Sequence, residues 1–480
     1  MGVRGASVYC AWMKSIVLSF ALLPLAGCAS GGAARVAEML AVHDAHPVQV
    51  AALVVDLDSG ETLLTREAQR LFRPASTQKL LTTSAICRRA IDGEFVTSLA
   101  ANATPAGNVT LIASGDPMLT TTELRGMVHK LHSRGVTTTT PEVCVIDPLR
   151  DAPRFGQGWM WDDEPDSFSP ALSAACIDSG CVTVEITPAV TSEVTNGRSE
   201  PTVRLVPVAG VLRVEVQDRE GKLHTTRGRY LHPNVVTVAG RAPADQVIRK
   251  RITVPDPARY TGHVLADAMQ RAGMLNGNPK VSVATQAPSA QQRPSEVQLR
   301  RSIGDVITHT NKVSDNLGAE MLLRKLGTLQ QHTTPLGPDS LRLGVAAITA
   351  DLARLGYEKT QFRIADGSGV SHYNLVSADL LVSLLVDMHQ RGGPGYELFR
   401  NSLPIGGVDG TLASRMKDSP AAGRVRAKTG TVSAVSNLAG YIETRSGRHL
   451  AFAIVCQNFA GSPSPWRDLQ DRICAVLADM

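Results

Sequence analysis

The chain has 480 residues, 43% of them hydrophobic and 19% charged, the balance of a globular protein large enough for one big core and at least one more. Its net charge of +5 falls further once a leader carrying Arg4 and Lys14 is removed, which is too little to hold a nucleic acid. No Cys-x-x-Cys, His-Glu-x-x-His or glycine-rich phosphate loop is present. Neither a metal nor another cofactor is therefore expected, and the pairs His43/His46 and His129/His132 read as solvated faces.

The first element is a leader. Met13-Lys14-Ser15 opens an apolar run from Ile16 to Ala26 that is too short to span a membrane as a mature helix. It ends in small residues before Cys28, so residues 1–28 read as a signal peptide, complete even if translation starts at Met13. Leu25-Ala26-Gly27-Cys28 resembles the bacterial lipobox, which implies a lipid on Cys28 and a periplasmic protein anchored to a membrane. The uncharged Ala29 and Ser30 favour the outer membrane. Residues 29–47 are expected as a tether with a short helix.

Gln49 to Leu57 and Glu61 to Leu64 read as a hairpin turning at Asp58-Ser59-Gly60. Next comes Ser76-Thr77-Gln78-Lys79. Pro74-Ala75 reads as a loop and Leu80 to Ile86 as a buried helix start, placing Ser76 and Lys79 at i and i+3 on one face. A serine hydroxyl needs a base within reach, and a lysine shielded from water among other cations has its pKa lowered enough to serve. The helix N-terminus adds N–H groups where an oxyanion would develop. Residues 89–260 are expected as an insertion, largely β in its second half, which splits a catalytic domain made of residues 48–88 and 261–480.

Ser314-Asp315-Asn316 lies in a polar turn before an amphipathic helix, where it also suits a helix cap. A second hydroxyl (Ser314) beside Lys79 can relay a proton to a leaving amine, and the Asn316 amide can hold a peptide group or the lysine. Gly423 to Val432 alternates like a strand and contains Lys428-Thr429-Gly430-Thr431, a cation and hydroxyls suited to a carboxylate. Gly430 allows close backbone approach. Two more strands follow, over 437–444 and 450–455, and then a helix with Trp466, Leu469, Ile473 and Leu477 on one face. The hairpin and these strands are expected to share one antiparallel sheet. Besides Cys10 and Cys28 there remain Cys87, Cys144, Cys176, Cys181, Cys456 and Cys474. In an exported chain these permit disulfides, with Cys456–Cys474 and Cys176–Cys181 among many pairings.

The three short motifs occur in the order of the S-x-x-K, S-D-N and K-T-G set of penicillin-binding proteins and class A β-lactamases. Over roughly residues 48–475 the chain resembles the class C low-molecular-mass penicillin-binding proteins, which are D-alanyl-D-alanine carboxypeptidases and endopeptidases. Gly115-Asp116-Pro117, Asp366-Gly367-Ser368-Gly369 and Gly407-Val408-Asp409-Gly410-Thr411-Leu412 extend the resemblance. Val370-Ser371-His372 departs from it, since the family often has an arginine at the last place. The resemblance implies an α+β fold, an antiparallel sheet flanked by helices and split by a large, partly β inserted domain. It implies Ser76 as nucleophile, Lys79 as base, Ser314 as proton shuttle and Asn316 as holder of the substrate peptide. Lys428 and Thr429 would bind the terminal carboxylate, and backbone N–H groups of Ser76 and Thr431 would form the oxyanion hole. Trp159 and Asp162 would read the free amine of a peptidoglycan stem. The implied partners are peptidoglycan and β-lactams. Two other readings are a β-lactamase and a non-catalytic wall-binding protein. The 238-residue gap from Ser76 to Ser314 speaks against the first, as does the position of Glu397-Leu398-Phe399-Arg400-Asn401 beyond the S-D-N. The intact catalytic set speaks against the second.

Overall fold

Gln49–Asp56 is apolar on both faces because both are covered. Val50, Ala52 and Val54 point into one buried cluster, Ala51 and Leu53 into another. The neighbouring strand His449–Gln457 divides the same way, with Leu450, Phe452, Ile454 and Cys456 on one side and Ala451, Ala453 and Val455 on the other. These strands sit within a five-stranded antiparallel sheet ordered Val425–Val432, Val435–Glu443, His449–Gln457, Gln49–Asp56 and Thr62–Arg66. The expected hairpin is thus present and shares a sheet with the late strands, which brings the early and late parts of the chain together.

The structure is a computed structural model. It describes residues 31–42, 47–101, 109–136, 142–188, 201–208, 210–228, 232–241, 246–277, 279–287, 289, 295–331 and 336–480. The leader with Cys28, His43, His46 and Thr137 to Thr140 lie outside the described residues.

One face of the sheet carries the terminal helix Ser464–Ala478 and, against it, the helix Gly31–Ala41. The expectation of a tether over residues 29–47 is corrected here. Ala33, Val36 and Leu40 recur at helical spacing and are buried, Val36 and Leu40 in one cluster with Leu469, Ile473 and Leu477, so this helix is part of the folded body. The other face carries the helices Lys79–Cys87, Ile303–Lys312, Asn316–Gln331, Ser340–Arg354, Ala378–Arg391 and Gly393–Ser402. Lys79–Cys87 is buried along its whole length. It tolerates Thr82, Thr83 and Ser84 there because each hydroxyl donates to a carbonyl, of Gly367, Lys79 and Leu81 respectively.

Between these segments the chain builds a second five-stranded sheet, ordered Lys280–Ala284, Glu142–Ile146, Val109–Ile112, Glu94–Ala101 and Ser295–Ser302. Two three-stranded sheets follow the expectation of β structure: Cys181–Thr187 with Thr202–Val206 and Ile248–Thr253, and Arg213–Lys222 with His224–Arg227 and Val235–Arg241. Lys280–Ala284 and Ser295–Ser302 lie beyond residue 260, yet they pair with Glu142–Ile146 and Glu94–Ala101. The Ile303 N–H donates to the Gly93 carbonyl at 2.9 Å, so the chain leaves this unit where it entered.

All six described cysteines are thiols, so neither Cys456–Cys474 nor Cys176–Cys181 is bonded. Cys456 and Cys474 pack as small apolar side chains, and burial pushes the Cys456 thiol up to about 12. Among the described residues no helix is long and apolar enough to cross a membrane.

Candidate active site

Residues Ala75–Gln78 form a 3₁₀ turn that runs directly into the helix Lys79–Cys87, so Ser76 stands just ahead of the helix. Ala75 holds φ at +46°, a conformation that L-residues avoid unless their surroundings impose it. The surroundings are tight. The Asn437 amide donates to the carbonyls of Arg73 and Pro74, both at 2.9 Å, tying this turn to the sheet. A Cβ on Gly369 would lie 1.7 Å from the Ala75 carbonyl oxygen, and one on Gly430 would lie 2.6 Å from that of Pro74. Only glycine lets the loop and the strand approach the turn this closely.

Lys79 is fully buried and its Nζ donates three ways: to Ser76 Oγ at 2.9 Å, Asn316 Oδ1 at 2.6 Å and the Ser368 carbonyl at 2.7 Å. Burial lowers its pKa to about 8, while the carboxylates of Asp366, Asp315 and Glu320 pull the other way. The lowered pKa therefore has desolvation as its first cause, and the nearby anions oppose it.

Ser314 also has a left-handed backbone, φ +61°, and its Oγ accepts from Lys428 Nζ at 2.9 Å. Lys428 is fully buried; desolvation, with Lys79 nearby, pushes its ammonium well below the ordinary lysine range. Ser314 is thus hydrogen-bonded to the second lysine and not to the first. Asp315 turns the other way, accepting from the N–H groups of Leu317 and Gly318 to cap the helix Asn316–Gln331. Within the Ser-Asp-Asn motif one residue therefore caps the helix while its neighbours Ser314 and Asn316 are bonded to the two lysines. Asn316 Nδ2 donates to the Phe168 carbonyl at 2.7 Å, a contact from the inserted unit.

Ser76, Ser314, Thr429 and Thr431 line an open cleft. Thr411, Ser414, Arg415 and Arg467 complete its lining. Thr429 Oγ1 donates to Thr411 Oγ1 at 2.9 Å, and the Lys312–Asp409 ion pair at 2.7 Å holds the loop that presents Thr411.

Trp159 and Asp162 are placed differently. Trp159 Nε1 donates to Asp366 Oδ2 at 2.9 Å, and Asp162 lies exposed in the 3₁₀ turn Trp161–Asp163. Asp366 also accepts from the backbone N–H groups of Gly369 and Ser371 and from Asn374, fixing the loop whose Ser368 carbonyl meets Lys79. The His372 N–H donates to the Gly158 carbonyl, so the segment that departs from the family pattern docks the Trp159 loop. Thr411, Ser368 and Phe168 were not among the expected site residues. Glu397, on the helix Gly393–Ser402, is not among the residues that line the cleft.

The model of the D-Ala-D-Ala carboxypeptidase 3 (S13) family matches residues 33–480. A D-alanyl-D-alanine carboxypeptidase of Actinomadura sp. (strain R39) is 32% identical over 89% of this chain and 80% of its own length. D-alanyl-D-alanine carboxypeptidase DacB of Haemophilus influenzae is 26% identical over 79% of each chain. In fold, the crystal structure of penicillin binding protein 4 from Haemophilus influenzae superposes with a TM-score of 0.77 at 22% identity, covering 93% of this chain and 99% of its own. A complex of that protein with a β-lactam gives 0.70 at 20% identity, over 92% and 98%. With its serine, two lysines and hydroxyls gathered in one cleft on this fold, the chain belongs to the D-Ala-D-Ala carboxypeptidase 3 (S13) family.

Proposed function

We propose that this D-alanyl-D-alanine carboxypeptidase works through an acyl-enzyme on Ser76. The observation that carries the reading is the 2.9 Å bond between Ser76 Oγ and a buried Lys79 whose pKa is lowered to about 8. A neutral Lys79 takes the proton from Ser76 Oγ as the oxygen attacks the carbonyl of the penultimate D-Ala. Backbone N–H groups of Ser76 and Thr431 receive the oxyanion. Lys428, Thr429 and Thr431 hold the terminal carboxylate, and Asn316 holds the stem through its amide. As the peptide bond breaks, the proton taken up by Lys79 passes through Ser314 to the leaving amine, which returns Lys79 to its neutral form, and terminal D-Ala departs. Water then attacks the ester, giving its proton to Lys79, which passes it to Ser76 Oγ as the shortened stem leaves. A β-lactam enters the same way, but its leaving amine stays tethered in the acyl-enzyme. The test is D-Ala release from an acylated peptide ending in D-Ala-D-Ala. Wild type should release one D-Ala per peptide and Ser76→Ala none; release by the variant would contradict the assignment.

A cross-linked stem presents the same D-Ala carbonyl with a different leaving amine, so DD-endopeptidase action is a second proposed activity of this cleft. Digestion of purified peptidoglycan with muropeptide mass analysis separates the two. Trp159 and Asp162 remain the proposed readers of the stem's free amine, with the Trp159 indole now bound to Asp366.

We also propose a periplasmic enzyme held to the membrane by a lipid on Cys28. The helix from Gly31 is part of the folded body, so Ala29 and Ser30 alone bridge to the anchor, a span from Cys28 to Gly31 of at most about 11 Å. The catalytic body would then lie against the membrane surface instead of hanging from a long tether. Wild type should partition with membranes and Cys28→Ser should not; wild type found wholly in the soluble periplasm would remove the anchor.

A further inference from the structure

The groups assigned above to the substrate carboxylate all lie on the strand Val425–Val432. Two guanidiniums line the same cleft and have no part in that cycle: Arg415 and Arg467. They differ in what they already hold. Arg415 Nη2 meets Asp471 Oδ1 at 2.6 Å and Gln470 Oε1 at 3.1 Å, and its Nε meets Asp471 at 3.0 Å. Its charge is neutralised and its fork is filled. Arg467 lies in the first turn of the helix Ser464–Ala478 and is half-buried. Among the described residues it has no carboxylate partner, and its side-chain hydrogen bond runs from Nη2 to Thr431 Oγ1 at 3.4 Å.

That bond matters because Thr431 faces the cleft. A hydroxyl that accepts from a guanidinium turns its own proton away from it, free to donate to an anion. The lysine on the same strand is a less secure charge, since Lys428 is fully buried with its ammonium disfavoured. A guanidinium stays charged at every pH at which the enzyme works, and it presents paired donors that match a carboxylate.

We propose that Arg467 is a specificity-determining residue that reads, with Thr431, the free α-carboxylate of the departing residue. The enzyme thereby selects stems with a terminal carboxylate over stems whose terminus is amidated. The inference rests on the acyl-enzyme reading above. An amide in this position removes the anion and leaves a cation without a partner, which penalises the wrong substrate as well as rewarding the right one.

The test uses two peptides alike except at the end, D-Ala-D-Ala as the acid and as the C-terminal amide, with kcat and KM measured for wild type, Arg467→Gln and Arg467→Lys. Wild type should strongly prefer the acid. Arg467→Gln should lose about 10- to 100-fold in kcat/KM on the acid, chiefly through KM, and stay within about twofold on the amide, the loss of a charge-assisted carboxylate contact. Arg467→Lys, which keeps the charge without the fork, should fall between. Equal losses on both peptides would mean a structural role and overturn the proposal, as would an unchanged acid reaction. Wild type cleaving both peptides equally well overturns it without any variant, so a misfolded Arg467→Gln does not protect it. Wild type cleaving neither peptide contradicts the acyl-enzyme reading itself, and this inference falls with it.

Discussion

Lys79 must be protonated to satisfy three acceptors and neutral to take a proton from Ser76. Burial reconciles the two by bringing its pKa to about 8 from the ordinary 10.5. The folded value is depressed, so the neutral amine grows as pH rises through 8. We expect kcat/KM for acylation by penicillin to rise along a limb centred near pH 8; a rate flat from pH 6 to 9 would contradict Lys79 as the base. Lys79→Ala should lower acylation by about 1000-fold or more, because removing one member of a coupled catalytic unit disables the rest. Its thermal midpoint should stay close to wild type, since the lost hydrogen bonds are offset by the loss of a buried charge. Near-normal acylation would mean that another group takes the proton. Seven expected residues, from Ser76 to Thr431, were legible because their chemistry sits in three short motifs. The carbonyls of Ser368 and Phe168 were not, since a backbone oxygen leaves no mark on a sequence. The bond from the Trp159 indole N–H to the buried Asp366 carboxylate was not legible either, since the two residues are far apart in the chain.

The strands were legible as elements because apolar residues alternate between two clusters or run continuously. Phe452 shows what that burial contributes: fully buried in the cluster beneath the terminal helix, it has no polar atom and no route to solvent. Phe452→Ala should cost about 3–5 kcal/mol in urea unfolding at unchanged m-value, the usual range for truncating a buried aromatic. A loss under about 1 kcal/mol would mean that the sheet face repacks freely. The helix Gly31–Ala41 was legible as a helix and missed as a structural one. Its Ala33, Val36 and Leu40 give only a narrow stripe, and the surface that covers it comes from the far end of the chain. The thiols follow the same logic, for the cysteine count permits bridges while only packing shows Cys87, Cys176, Cys456 and Cys474 buried in the apolar clusters as free thiols.

Pairing between distant segments decides the architecture of the whole molecule, and a sequence shows it least. The insertion was expected to end at residue 260, but Lys280–Ala284 and Ser295–Ser302 pair with Glu142–Ile146 and Glu94–Ala101, and their sequences carry no mark of those partners. We read the inserted unit as residues 94–302, closed by the bond from Ile303 to Gly93. A fragment of residues 94–302 should be soluble and unfold cooperatively. A fragment of residues 89–260, which leaves Glu94–Ala101 and Glu142–Ile146 each with one of its two neighbouring strands missing, should aggregate through its exposed edges. Equal behaviour of the two fragments would contradict these boundaries.

The central claim is that one serine, Ser76, forms the covalent intermediate. Incubation with penicillin followed by intact-protein mass spectrometry and peptide mapping tests it most directly. The account predicts one adduct per chain, on the peptide containing Ser76, and none on Ser76→Ala. An adduct on that variant, or one mapped to any other residue of the wild type, would contradict it.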